Sequence, residues 1–158
     1  MKKQTRIYII SVAISLGAGI LSALLTRGNM NIYEEVITPP LSPPAFLFPV
    51  VWTVLYVLMG ISAAMVLTTG TAPLAKRKNA LSVYGASLFF NFFWSFIFFN
   101  LRAFLFSFVW LVVLLALIIL TIVKYFKINR TAAYLQIPYA LWVTFAGYLN
   151  LGIFILNR

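Results

Sequence analysis

PPLSPPAFLFPVVWTVLYVLMG, residues 39–60, sets four prolines, Pro39, Pro40, Pro43 and Pro44, directly before an apolar run that starts at Ala45 and carries Trp52. The run continues without a charge to Leu67. Its length of about 23 residues, at ~1.5 Å rise per residue, is enough for a helix to cross roughly 30 Å of hydrocarbon. The prolines hold φ near about −65°, push each preceding residue toward extended backbone, and are tolerated in a first helical turn. Pro43 or Pro44 is therefore expected to open a membrane helix, with a stiffened segment leading into it.

Composition agrees with a chain that lives in a bilayer. Of its 158 residues 63% are hydrophobic and 9% charged, with a mean hydropathy of +1.02. Too little polar surface remains to cover a water-soluble core. The length suits one compact unit, residues 1–158, without a separate soluble domain. Cysteine and histidine are both absent, which excludes disulfides, thiol nucleophiles, Cys/His zinc sites and His-ligated haem. No metal site and no resident cofactor are expected.

Five apolar runs lie at about 7–25, 45–67, 80–99, 103–126 and 132–156. Each is long enough to span, so the expected fold class is an all-α integral membrane protein, a bundle of five transmembrane helices. Lys2, Lys3 and Arg6 before the first run resemble the start of a signal peptide, but the apolar stretch is too long and lacks a small-x-small cleavage site before a soluble domain. It reads as a retained helix. With five spans, the N-terminus and the second and fourth connections share one side, and they carry Lys2, Lys3, Arg6, Lys76, Arg77, Lys78, Lys124, Lys127 and Arg130, nine of the twelve basic residues. Arg27, Arg102 and Arg158 lie opposite, with both acids, Glu34 and Glu35. The positive-inside rule then places the N-terminus in the cytoplasm and the C-terminus outside. The net charge of +10 is thus a topology signal. It does not describe a nucleic-acid surface, because the cations form three short clusters at helix ends, where snorkelling toward anionic headgroups accounts for them.

One connection is long. Residues 26–44 carry Met30, Ile32, Tyr33, Val36, Ile37 and Leu41, too many apolar side chains for a solvated linker, and loops beyond roughly 12 to 15 residues usually have a function. The expectation is a lid folded over the outer helix ends, with prolines lowering the entropy lost on closing.

No Asp, Glu, Lys or Arg lies mid-span, so the ion pairs and proton relays of pumps are missing. Any site is neutral and aromatic. On the fifth span Trp142, Phe145, Ala146 and Leu149 stand at i, i+3, i+4 and i+7 with Asn150 beside them; on the second, Phe48, Trp52, Tyr56 and Met59 share a face; the third adds Phe90, Asn91 and Trp94. Two readings compete. Aromatic stripes pack helices together, and tryptophans set inside their spans with a small Ala146 beside them also suit a flat aromatic ligand held in an apolar cavity. Ser82 and Ala86, four apart on the third span, form a small-xxx-small pair that allows close helix approach and suggests a homodimer face.

Three segments taken in order, PPLSPP followed by FPVVWTVLYVLMG, then NFFWSFIFF, then PYALWVTFAGYLN, resemble the translocator protein family (TspO/MBR, the tryptophan-rich sensory proteins; in mitochondria the peripheral-type benzodiazepine receptor). The likeness covers nearly the whole chain and is nearest to a Bacillus-type bacterial member, which implies a bacterial cell membrane. It implies a five-helix bundle, often dimeric, whose pocket is closed by the first connection. It implies binding of porphyrins such as protoporphyrin IX and of isoquinoline carboxamide or benzodiazepine-like ligands, with membrane lipid around. The family's ligand contacts fall on Trp52, Trp142, Asn91, Trp94, Ala146, Leu149 and Asn150, and the stripes and lid add Tyr33, Phe48, Tyr56, Phe90 and Phe145. Trp52 and Trp142 are the candidates for a photochemical role in light-dependent porphyrin breakdown. Two departures are visible: the sterol-recognition segment that follows the last helix in mitochondrial members has no counterpart, and Phe106 stands where those members tend to have Trp. A loose sterol-type match, Val123-Lys124-Tyr125-Phe126-Lys127, lies on the opposite side. A ligand-binding sensor ranks first, a porphyrin-degrading photoenzyme second and a transporter third, since five helices do not divide into two repeats and no coupling-ion site is seen.

Overall fold

The computed structural model describes residues 3–158. Helix α1 covers Lys3–Thr26; a 3₁₀ turn, Arg27–Asn29, and a single helical turn α2, Ile32–Glu35, follow. Then come α3 (Leu47–Thr68), α4 (Leu74–Ser95, continued by a π-helical turn, Phe96–Asn100), α5 (Phe104–Phe126) and α6 (Arg130–Leu156). Five of these are long and apolar enough to cross a membrane, and no strand occurs among the described residues. The long helices close a ring in which α1 packs on α3, α3 on α6, α6 on α5, α5 on α4 and α4 back on α1.

Helix α1 is built with its polar side inward. Ser11, Ser15, Ser22 and Thr26 are buried while Ile9, Ile14, Ile20, Leu21 and Leu24 are exposed. That arrangement suits a solvent of lipid tails, where apolar surface gains nothing by burial and small residues let backbones approach. Ser15 and Tyr84 share a hydrogen bond of 2.6 Å, and a Cβ at Gly60 of α3 would stand 2.5 Å from the Cα of Val12. Only hydrogen fits there.

The span boundaries fall within a few residues of the hydropathy runs except at α4, which starts at Leu74 and not near Ala80. Its first five residues include Lys76, Arg77 and Lys78, an unfavourable charge for a helix N-terminus. Those cations serve other helices. Arg77 donates to the Leu67 carbonyl at the end of α3, and Lys76 donates to the Lys127 carbonyl at the end of α5, where unpaired carbonyls favour positive charge. Between α5 and α6 the turn is short because Asn129 caps α6, its side chain accepting from the Ala132 N–H at 3.1 Å.

The first connection lies across the end of the ring. Ile32 is fully buried, and beyond it the chain runs extended along the end of α6. The Asn157 side chain accepts from the Ile37 N–H and donates to the Ile37 carbonyl, Tyr148 donates to the Pro40 carbonyl, and Pro39 sits on Gly152, where a Cβ would come within 2.7 Å of its ring. Leu41 takes φ 67°, and Ser42 donates back to the Pro39 carbonyl. Pro43 and Pro44 precede the first turn of α3, and Pro49 is the proline that lies within it, a place where a missing N–H costs nothing. The other end of the segment is tied by Asn100, which accepts from Asn29 and donates to the Leu25 carbonyl, and by the ion pair of Glu35 with Arg102 at 2.7 Å.

Candidate functional site: an aromatic cavity under the crossing segment

Beneath the crossing segment, α1, α3 and α4 enclose a cavity of about 110 Å³. Gly19, Ser22, Ala23 and Thr26 form the α1 wall; Phe48, Pro49, Trp52 and Tyr56 the α3 wall; Trp94, Ser95 and Phe99 come from α4 and its π-helical turn; Met30 and Tyr33 form the roof. The helical periodicity that aligns Phe48, Trp52 and Tyr56 on one face of α3 is what brings three rings to one wall.

Trp52 is the centre of this set. Its ring lies 5.7 Å from that of Tyr56, 6.3 Å from Trp94 and 6.3 Å, edge-on, from Tyr139, within the range of favourable aromatic pairs. The roof is stacked on the wall, with Tyr33 and Phe48 centroids 5.1 Å apart and planes 23° apart. Polar groups behind the rings fix their positions. Asn91 donates to the Tyr56 hydroxyl at 3.1 Å; Asn150 accepts from the Trp94 indole N–H at 3.2 Å and from Ser107 at 2.9 Å, and donates to the Phe104 carbonyl at 2.7 Å. Asn150 thereby joins α4, α5 and α6 behind the cavity. No ionisable group with an ordinary pKa near neutrality lines the space. It can stack flat rings and offer a few neutral hydrogen bonds, and it has no acid–base pair.

Tyr33, Phe48, Trp52, Tyr56 and Trp94, all expected from sequence, meet at this cavity. Asn91 and Asn150 lie one layer behind, as anchors of ring positions. Trp142 contacts the back of Phe48 at 5.9 Å and, with Phe145, lines a separate groove between α3 and α6 that faces outward. Ala146 and Leu149 are buried in the bundle, and Phe90 turns toward α5, stacked on Trp110 at 4.4 Å. Ser82 and Ala86 are on α4, Ser82 exposed and Ala86 half-buried, and a Cβ at neighbouring Gly85 would meet nothing within 4 Å. The sequence reading missed Gly19, Ser22, Ala23 and Thr26. A signal for them exists: Ser11, Ser15, Ser22 and Thr26 stand at i, i+4, i+11 and i+15 amid Ile and Leu, a small polar stripe that in a lipid-facing helix marks the inward side.

The model of the TspO/MBR family matches residues 11–156. The tryptophan-rich protein TspO of Chlorobaculum tepidum is 33% identical over 162 residues, covering 99% of this chain and 99% of that protein. The tryptophan-rich sensory protein of Cereibacter sphaeroides is 32% identical over 79% of this chain and 76% of its own length, and the translocator protein of Bos taurus 31% identical over 86% and 80%. With the match spanning all five long helices and the cavity between them, this chain belongs to the TspO/MBR family.

Proposed function

We propose that the protein is a membrane receptor of the sensor type that binds porphyrins such as protoporphyrin IX, and isoquinoline carboxamide or benzodiazepine-like molecules, in the cavity under the crossing segment. The observation that carries this is Trp52, set on an apolar wall with Tyr56 and Trp94 and roofed by Tyr33. About 110 Å³ is less than the roughly 300 to 1,000 Å³ of ligand pockets, so a tetrapyrrole enters as the crossing segment lifts. Quenching of tryptophan fluorescence by protoporphyrin IX tests the location. Of the four tryptophans, Trp52 and Trp94 line the cavity, whereas Trp110 is stacked on Phe90 away from it. Trp52→Phe should remove the largest share of the quenching and Trp110→Phe almost none; the reverse would move the ligand to another face.

Light-dependent breakdown of the bound porphyrin is the second reading. It is favoured by the oxidisable indole of Trp52 lying on the wall itself with Tyr56 and Tyr139 rings around it.

The receptor sits in a bacterial cell membrane with its N-terminus in the cytoplasm, a placement supported by the nine-to-three division of basic residues. A C-terminal reporter active only outside the cytoplasm should give signal, and a cytoplasm-dependent one should not. Association as a homodimer through Ser82 and Ala86 is supported by the small side chains and the open surface at Gly85. Ala86→Phe should lower the yield of crosslinked dimer in bilayers, and an unchanged yield would remove this face from consideration.

A further inference from the structure

At the end of the bundle opposite the aromatic cavity, the end of α5 and the start of α6 flank a surface pocket of about 480 Å³ lined by Val123, Phe126, Lys127, Arg130 and Tyr134. Its chemistry is divided. Lys127 and Arg130 supply two exposed cations at the turn between the helices, while Val123, Phe126 and Tyr134 supply an apolar floor. The Tyr134 ring meets Phe126 edge-on at 5.2 Å and is 57% exposed.

The cations have no carboxylate to pair with. Both acids of the chain, Glu34 and Glu35, are on the crossing segment at the other end, where Glu35 binds Arg102 in the one ion pair among the described residues. Neighbouring Lys76 and Lys124 are engaged by neutral oxygens, the Lys127 carbonyl at 3.1 Å and the Asn79 side chain at 2.6 Å. Positive charge therefore accumulates at this pocket without internal neutralisation, and it calls for an anion from outside.

The apolar floor decides which anion. Val123 and Phe126 continue along α5 to Ile119 at i, i+4 and i+7, all exposed, so the floor leads from the cations into the hydrocarbon region. A free phosphate would use the cations and ignore that track. A nucleic acid or a soluble protein would have no use for a face lying against acyl chains.

We propose that this pocket is a binding site for an anionic phospholipid, its phosphate held by Lys127 and Arg130 and an acyl chain lying over Phe126, Val123 and Ile119. The site is separate from the aromatic cavity and does not depend on what binds there. It also assigns a use to the segment from Val123 to Lys127: the groups that face outward are two apolar side chains and a cation, whereas Tyr125 is fully buried between helices, so the segment offers no free tyrosine hydroxyl to a sterol.

The test uses the full-length protein in a neutral detergent with phosphatidylglycerol or phosphatidylcholine added, and lipid retention read by native mass spectrometry. Wild type should retain one phosphatidylglycerol preferentially. The double variant Lys127→Gln/Arg130→Gln should weaken that retention roughly tenfold to thirtyfold, the scale of removing two cations beside an anionic lipid headgroup. Arg6→Gln/Lys78→Gln removes the same charge elsewhere on this end and should leave retention unchanged. Phe126→Ala should weaken lipid retention but not any association of inorganic phosphate. Equal loss in the two double variants would mean a diffuse counter-ion effect and overturn the site, as would equal retention of phosphatidylcholine or equally strong association of inorganic phosphate alone.

Discussion

Gly60→Ala should destabilise the bundle by about 1 to 3 kcal/mol, the usual cost of forcing extra volume into a packed contact. The new Cβ would stand 2.5 Å from the Val12 Cα, 2.9 Å from the Val12 nitrogen and 3.0 Å from the Ser11 carbonyl oxygen. All three are backbone atoms, so no side-chain rotation relieves the clash and α1 must move as a body. Gly17→Ala, one face away on α1, meets nothing within 4 Å, and there alanine should be neutral or stabilising by up to about 1 kcal/mol through helix propensity. Thermal unfolding midpoints of the two variants in the same detergent measure the difference directly. Because α1 carries Gly19, Ser22, Ala23 and Thr26 into the cavity wall, Gly60→Ala should also weaken the proposed porphyrin binding, although Gly60 does not line the space. If the two variants unfolded alike, the close approach of α1 to α3 would be wrong.

Substitutions at Trp52 would separate the proposed porphyrin binding from the proposed photochemistry. Trp52→Ala deletes the ring that meets Tyr56 and Trp94, and protoporphyrin IX binding should weaken by roughly 1 to 3 kcal/mol, the scale of truncating a buried aromatic anchor. Trp52→Phe keeps a flat apolar surface and should keep most of the affinity. Phenylalanine is much harder to oxidise than indole, so the same variant should lose light-dependent bleaching of the bound porphyrin if Trp52 is the residue oxidised. Absorbance of the complex under illumination reads this out. Bleaching at the wild-type rate in Trp52→Phe would leave the receptor reading without a photochemical partner at that position. Trp142→Ala is expected to act at one remove, by loosening Phe48, which it backs at 5.9 Å.

The five spans were legible because lipid imposes a length and a polarity on each helix that a hydropathy count detects. The start of α4 was not, since the benefit of Lys76 and Arg77 lies in the carbonyls of α3 and α5 that they reach, and those partners are distant in sequence. The α3 side of the site could be read from Phe48, Trp52 and Tyr56, because one helix face holds all three. Helix α6 illustrates the limit of such reasoning. Periodicity places Trp142, Phe145, Ala146 and Leu149 on a common stripe, but it does not name the neighbour: part of the stripe faces the outward groove with α3 and part is buried in the bundle. Helix α1 illustrates the opposite case. Its contribution is a stripe of small residues, and a search for aromatic rings passes over it.

The extended half of the crossing segment is fastened to α6, through Asn157, Tyr148 and the seat of Pro39 on Gly152, and the half that carries Met30 and Tyr33 is fastened just beyond α4, through Asn29 on Asn100 and Glu35 on Arg102, while the cavity it roofs is walled by α1, α3 and α4. None of these fastening groups lines the cavity. A ligand of the proposed receptor would meet the roof at Met30 and Tyr33 and not at its fastenings, and its entry would wait for those fastenings to release. Association with the proposed ligand would then be a gated process, whose observed rate rises with ligand concentration at first and levels off at the frequency with which the strap lets go. Exchange rate and affinity would then be separately adjustable: the rings of α3 and α4 would set how well a ligand is held, and the contacts with α6, Asn100 and Arg102 how often the door opens.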